Sequence, residues 1–352
     1  MAGLPFAALA EQAVRIRRLG VLMATGADDP LAQGRVAAFR EGLNQLGWNE
    51  GRNLSIDWRW SGGDITQTNQ YAEELVRLAP DVLLANGTPA TAALKQATST
   101  IPIVFAVVND PVAQGFIPNM GHPGGNLTGF SFLEYSVVGK SLEMLRQIAP
   151  KTARVAVMFN PETYPYYDIH LKSFGTVAKQ LSLDLLPAPV RNATDINDTI
   201  ARLGEQTGNA LLVTPDPFML VHRDLVLRAV AQYRVPATYS YRQYVREGGL
   251  TSYGADANDI FFRSASYVDR ILKGAAPGDL PAQTPAKFEI AAQDGEGAGP
   301  RGSPQSGRSR RRGDRVRRRN CVAASQSFNR TSLMYHLRRS PAPSRRPAST
   351  RT

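Results

Sequence analysis

The feature that most constrains this chain is a rhythm. Short apolar runs alternate with stretches whose apolar residues recur at helical spacing, and the pattern runs through twice. Residues 19–24 read as a strand, and residues 31–46 as a helix whose stripe is Val36, Phe39, Leu43 and Leu46, stopped by Gly47. Strands at 54–60, 82–85, 101–108 and 127–130 interleave with helices at 71–78, 90–97 and 136–148. A second round has strands at 154–159, 183–190, 210–213, 236–239 and 250–253, with helices at 166–181, 196–203, 220–233 and 260–272. Strands alternating with helices at this spacing build parallel sheets covered by helices on both faces. Two rounds predict two such domains, which suits a chain of 352 residues. The expected fold class is therefore α/β, with two doubly wound parallel-sheet lobes.

Charge is distributed unevenly. The chain carries 41 Lys and Arg against 30 Asp and Glu, a net charge of +11. Residues 291–352 hold 15 Arg, no Lys and three acids, Asp294, Glu296 and Asp314, which leaves 26 basic and 27 acidic residues in positions 1–290. The body is neutral and the basicity belongs to a tail. That tail is rich in Ser, Pro and Gly and too poor in apolar residues to offset its ordering entropy, so it is expected to be disordered. It would attract nucleic acid at low salt. No specific nucleic-acid partner is expected, because Arg without Lys is the bias of GC-rich DNA read out of frame.

Other classes are excluded more simply. One cysteine, Cys321, leaves no disulfide framework and no cysteine-based zinc cluster, and the four His are not at metal-pair spacing. No apolar run reaches the ~18 residues of a membrane-spanning helix. Residues 1–17 read as the back half of a secretory signal, with Ala8-Leu9-Ala10 as the small-x-small cleavage pattern.

In an open parallel sheet, ligands bind beyond the carboxyl ends of strands, where loops and helix N-termini converge. The residues at those ends are Thr25, Asn86, Thr88, Asn109 and Asp110 in the first round. In the second they are Asn160, Asp216, Tyr239 and Tyr253. Helices starting just after Thr88 and Pro111 would offer unpaired N–H groups to a carboxylate. Thr88 could add a hydroxyl, and Asp110, Glu162, Asp216 or Asp256 could accept from an ammonium group, which together suit a zwitterion such as an amino acid. The same residue types are also ordinary caps and turns, and that alternative stays open for each. Tyr164, Tyr166 and Tyr167 could stack on a planar ligand or cover the cleft mouth. There is no G-x-G-x-x-G after the first strand, no G-x-x-x-x-G-K-[ST] and no G-x-S-x-G. No enzyme activity, catalytic residue, metal or cofactor is expected.

Several segments carry a family resemblance. They are Ala38-Phe39-Arg40-Glu41-Gly42-Leu43, Leu46-Gly47-Trp48, Glu50-Gly51-Arg52-Asn53-Leu54 and Ile101-Pro102-Ile103-Val104-Phe105. Pro123-Gly124-Gly125-Asn126-Leu127-Thr128-Gly129, Asp216-Pro217-Phe218, Gly248-Gly249-Leu250 and Arg270-Ile271-Leu272-Lys273-Gly274 continue it. From about Arg18 to Glu289 the chain resembles the ABC-transporter substrate-binding proteins of the tryptophan/tyrosine-binding-like group. That resemblance implies a type I periplasmic binding fold, with two lobes joined by three crossing segments and closing on a ligand. It places lobe 1 at 18–131 and 253–286, lobe 2 at 132–252 and 287–290, and the tail at 291–352. It also implies export to the periplasm, a monomer, a small-molecule solute, and partnership with an ABC permease and its ATPase. A regulator of the lactose-repressor type shares this fold but needs a DNA-binding domain ahead of the first strand, where residues 1–18 are too short for one.

The chain departs from the family after Glu289. Residues 293–300, given permitted codons and read one base later, become Lys-Thr-Ala-Lys-Ala-Leu-Gly-Leu. Residues 310–316 in the same register become Ala-Asp-Glu-Val-Ile-Glu. Both match the family's C-terminal segments in order, so the expectation is a frameshift between about Glu289 and Gln293, with the final strand and helix of lobe 2 lost. Nucleotide sequencing across this junction is expected to reveal both motifs in the alternative frame; codons that cannot encode them would end the idea.

Overall fold

The computed structural model describes residues 15–132 and 135–293. The expectations for the leader ahead of Arg15 and for the Arg-rich tail beyond Gln293 lie outside the described residues. The first round comprises β1 (Arg17–Met23), α1 (Pro30–Gln45), β2 (Leu54–Trp60), α2 (Ile65–Arg77), β3 (Val82–Asn86), α3 (Gly87–Ala97), β4 (Ile103–Val108) and β5 (Leu127–Ser131). Its strands form a five-stranded parallel sheet in the order β2-β1-β3-β4-β5.

The second round opens with α4 (Tyr135–Ile148), β6 (Arg154–Phe159), α5 (Tyr167–Gln180), β7 (Asp184–Pro189) and α6 (Ala193–Gly204). It continues through β8 (Asn209–Val213), α7 (Pro217–Val221), α8 (Arg223–Tyr233), β9 (Ala237–Tyr239), α9 (Arg242–Arg246) and β10 (Thr251–Ala255). Last come α10 (Ala257–Leu272) and β11 (Phe288–Ala292). The second sheet has six strands in the order β11-β10-β9-β8-β6-β7, parallel except for the antiparallel pair of β10 and β11. Its five parallel strands repeat the spatial order of the first sheet.

Strand alternation explains why both sheets are sandwiched. Leu19, Val21 and Met23 of β1 enter one core with Val82 and Leu84 of β3, while Leu22, Leu83 and Ala85 enter another. In the second sheet Ala156, Met158, Leu211 and Val213 face one core, and Val155, Val157, Ala210 and Leu212 face the other. A strand apolar on both faces must be covered twice, which is what βαβ crossovers accomplish. Helix α1 begins where Asp29 Oδ1 accepts from Leu31 N at 2.8 Å, with Pro30 in the first turn. It lies along α10, where Phe39 meets Phe261 edge-on at 6.5 Å and Trp48 Nε1 donates to Asp269 Oδ1 at 2.8 Å.

The chain passes between the sheets three times: after β5, after β10 and again into β11. Helix α10 packs on β3, β4 and β5 of the first sheet. Gln283 then stitches to that sheet's edge, accepting from Ser131 N and donating to Gly129 O, both at 2.9 Å.

Three sequence boundaries are corrected. The expected leader extended to residue 17, but Arg17 already begins β1 because Arg15 and Arg17 both pair with Asp81, at 3.1 and 2.8 Å. The expected return to lobe 1 at residue 253 comes after Ala255, since the whole of β10 pairs with β11. The final strand, expected to be lost, is present as β11, so Ala291 and Ala292 belong to a sheet and not to the tail. Its register is anchored further by Gln293 N donating to Leu250 O at 3.0 Å.

At Gly129 the backbone has φ +153°, and a Cβ there would lie 2.0 Å from Phe105 O. Gly129→Ala is expected to destabilise the protein by roughly 3 kcal/mol or more, through steric overlap and backbone strain. Urea unfolding measures this, and an unchanged midpoint would contradict the β4–β5 register.

Candidate functional site

The helices following β1 and β3 leave toward opposite faces of their sheet, so the strand ends between them open a crevice. The second sheet does the same between β6 and β8. These two switch points come together at a cavity. From the first lobe it is lined by Thr25, Arg35, Asn86, Gly87, Thr88 and Asn109, and from the second by Thr163, Pro215, Leu220 and Tyr241. With the lobes in contact the enclosed volume is ≈ 20 Å³, room for about one water.

Arg35 dominates its electrostatics. It lies on the buried stripe of α1, only 2 % exposed. Nη1 donates to Asn86 Oδ1 at 3.4 Å, whereas Nε and Nη2 are buried with no hydrogen-bond partner. The guanidinium carbon sits 5.4 Å from the Tyr241 ring and 5.9 Å from the Phe261 ring, within cation–π range. Burial pushes its pKa down from the ordinary arginine value, while neighbouring Tyr241 and Asp29 act the other way. The same burial pushes the Tyr241 phenol up. Two further polar atoms, Thr25 Oγ1 and Asn109 Oδ1, are buried without partners.

Backbone geometry is unusual here. Gly87, at the start of α3, has φ +82°, and the Asn86 side chain makes no cap hydrogen bond to the helix. Val107 has φ +61° at an irregularity in the β4–β5 register, an uncommon conformation for a β-branched residue.

The structure brings four of the sequence candidates, Thr25, Asn86, Thr88 and Asn109, to the cavity wall. Thr88 Oγ1 accepts from Gln114 Nε2 at 3.2 Å, and Asn109 Nδ2 donates across the lobes to Pro215 O at 3.2 Å. Asn160 Oδ1 accepts from Glu162 N at 2.8 Å and Thr163 N at 3.1 Å, ordering the loop that carries Thr163 to the wall. Asp110 caps a turn by accepting from Ala113 N at 3.0 Å. No helix follows Pro111: residues 111–115 are consecutive turns, so the second expected helix N-terminus is not there.

Tyr239 and Tyr253 lie elsewhere. Tyr239 stacks on Tyr244 at 4.5 Å, and Tyr253 on Phe288 at 6.1 Å. Tyr164 is buried and its hydroxyl meets His170 Nδ1 at 2.5 Å, while Tyr167 stacks on Phe159 at 4.2 Å. Tyr166 alone of that trio reaches toward the cleft mouth, donating to Gln114 O at 3.4 Å. Sequence reasoning missed Arg35 and Tyr241. A signal for Arg35 was available: it lies four residues before Phe39, on the apolar face of α1.

Asp216 is a structural centre and not an open acceptor. Its carboxylate accepts from Met219 N (2.8 Å), Thr214 Oγ1 (2.9 Å), Thr163 Oγ1 (3.1 Å) and Asn160 N (3.3 Å). Complete burial outweighs those donors and raises its pKa from 3.8 to about 6. Between those values the folded state holds a proton that the unfolded state has lost, so stability falls as pH rises through about 6. The loss is on the order of 2–3 kcal/mol. Asp216→Asn is expected to remove it, so the wild type gains stability relative to the variant on acidification from pH 7 to pH 4. Urea midpoints across that range measure the difference; parallel pH profiles would contradict the assignment.

Direct ties hold the lobes together. Arg223 Nη1 of α8 donates to Asp29 Oδ2, the second oxygen of the α1 cap, and both side chains are 11 % exposed. Arg223 Nε also pairs with Glu247 at 2.8 Å.

With this geometry in place, similarity to known proteins becomes informative. A family model described as ABC transporter substrate binding protein matches residues 27–292. The Tyrosine-binding protein of Clostridioides difficile is 26% identical over 252 residues, 72% of each chain. A conserved domain protein from Vibrio cholerae superposes with a TM-score of 0.73 at 27% identity, covering 79% of this chain and 92% of the other. An ABC domain from Streptococcus pneumonia, solved in complex with L-Trp, gives 0.71 at 22% identity, covering 78% and 91%.

Proposed function

This chain belongs to the ABC transporter substrate-binding protein family, and from that premise we propose that it is the extracytoplasmic solute-binding component of an importer, taking an amino acid between its lobes. One observation carries this reading: both switch points contribute to a single cavity whose wall holds unpartnered polar groups of both kinds. The Arg35 guanidinium suits a carboxylate, and Asn109 Oδ1 suits an ammonium group. An aromatic side chain is supported by the relative named for tyrosine and the neighbour bound to L-Trp. The ≈ 20 Å³ enclosed here is too small for an amino acid, so entry requires the lobes to part about their crossing segments and close again. A membrane permease with its ATPase then recognises the closed form, and the solute-binding protein acts as a monomer.

Calorimetry and thermal melts with the common amino acids test the reading. L-Tyrosine or L-tryptophan is expected to raise the melting temperature, by an amount equivalent to about 2.7 kcal/mol at a hundred times Kd. Failure of every amino acid to do so would remove it. Closure makes a separate prediction. Arg223→Ala breaks the tie to Asp29 and is expected to speed ligand release tenfold or more, since losing one partner of a largely desolvated charge pair acts chiefly on dissociation. Stopped-flow release at an unchanged rate would show that this pair does not hold the closed state.

A further inference from the structure

We infer that Arg35 is the specificity-determining residue of the cavity, receiving the carboxylate of a solute that bears one such group; this rests on the cavity being the solute site. The starting point is an uncompensated charge. A buried guanidinium stripped of water needs an anion or full hydrogen bonding to be stable. Arg35 has no paired anion and its hydrogen bonding is incomplete: Nη1 contacts Asn86 at 3.4 Å, the Tyr241 phenol is a neutral partner, and Nε and Nη2 lack well-formed hydrogen bonds.

Among the described residues no carboxylate pairs with it, and Asp29 favours the cation only from a distance. Asp29 spends one oxygen on Leu31 N and the other on Arg223. Asp216 is surrounded by four donors of its own. Tyr241 supplies its ring and phenol, which favour the cation without cancelling its charge.

A second feature points to the same ligand group. The first turn of α3 reaches the cavity at Gly87 and Thr88, and its N-cap side chain leaves the helix uncapped. Its free N–H groups and positive dipole end therefore favour a negative charge at the place where Arg35 lacks one. The planar fork of a guanidinium matches a carboxylate. A neutral polyol would leave the cation unpaired, and a dianion would bring more charge than Arg35 can neutralise.

The decisive experiment uses the full chain with L-tyrosine, 3-(4-hydroxyphenyl)propionate, which keeps the carboxylate alone, and tyramine, which keeps the ammonium alone. The propionate is expected to bind measurably and tyramine at least thirtyfold more weakly than L-tyrosine. Arg35→Met is expected to weaken L-tyrosine at least thirtyfold (about 2 kcal/mol) and to leave the weak tyramine affinity unchanged. Without ligand, Arg35→Met is expected to melt at or above the wild type, because an unpaired buried charge has been replaced by a side chain of similar reach. Tyramine binding as tightly as L-tyrosine, or an Arg35→Met protein that keeps wild-type affinity, overturns the inference. If no amino acid binds the wild type, the solute reading itself has failed, and the ligand-free melts still judge Arg35: a variant that melts below the wild type overturns its role as an unpaired charge.

Discussion

A parallel sheet with apolar residues on both faces must be covered by helices on both faces, and that constraint decides where this protein can do anything. Once α1 and α10 cover one side of the first sheet and α2 and α3 the other, only the strand ends remain open. The order β2-β1-β3-β4-β5 puts the splayed helix starts between β1 and β3. Repetition of that order in the second sheet gives a matching crevice between β6 and β8, and the two crevices become one cavity.

The elements that build the cavity are also those that join the lobes. Asp29 caps α1 through one oxygen and pairs with Arg223 of the other lobe through its second. The helix that presents Arg35 is therefore fixed by the carboxylate that helps hold the cleft shut. Opposite it, Asp216 gathers Thr163, Thr214 and two backbone N–H groups into a rigid floor. One acid serves closure and the other shape, and neither is left over for a solute. The unpartnered polar atoms of the cavity wall, on Thr25, Arg35 and Asn109, all belong to the first lobe. That asymmetry fits a ligand gripped first by one lobe and then covered by the other.

Much of this was legible in the chain. The 2-residue and 3.6-residue periodicities identified the strands and helices, and reading strand ends found Thr25, Asn86, Thr88 and Asn109 on the cavity wall. The same rule failed for Tyr239 and Tyr253, because a strand end outside the switch point faces other packing. It overvalued Asp216, whose residue type announces a hydrogen-bonding group but not which partners will saturate it. The turns after Pro111 and the strand β11 were misread for local reasons. Proline opens turns as readily as helices, and a five-residue strand beside an Arg-rich segment is obscured by its neighbour's composition.

The sequence by itself determined the fold class, the doubling of the lobe and the neutrality of its body, because periodicity and composition are local properties that burial must respect. Tertiary structure alone decided which strand ends meet, that Arg35 is sealed in without an anion, and that Asp29 reaches Arg223. Those facts depend on groups far apart in the chain, up to 194 residues for the last pair. Whether a charge is satisfied is a property of the space around it, and that space exists only after both sheets have closed around their cores.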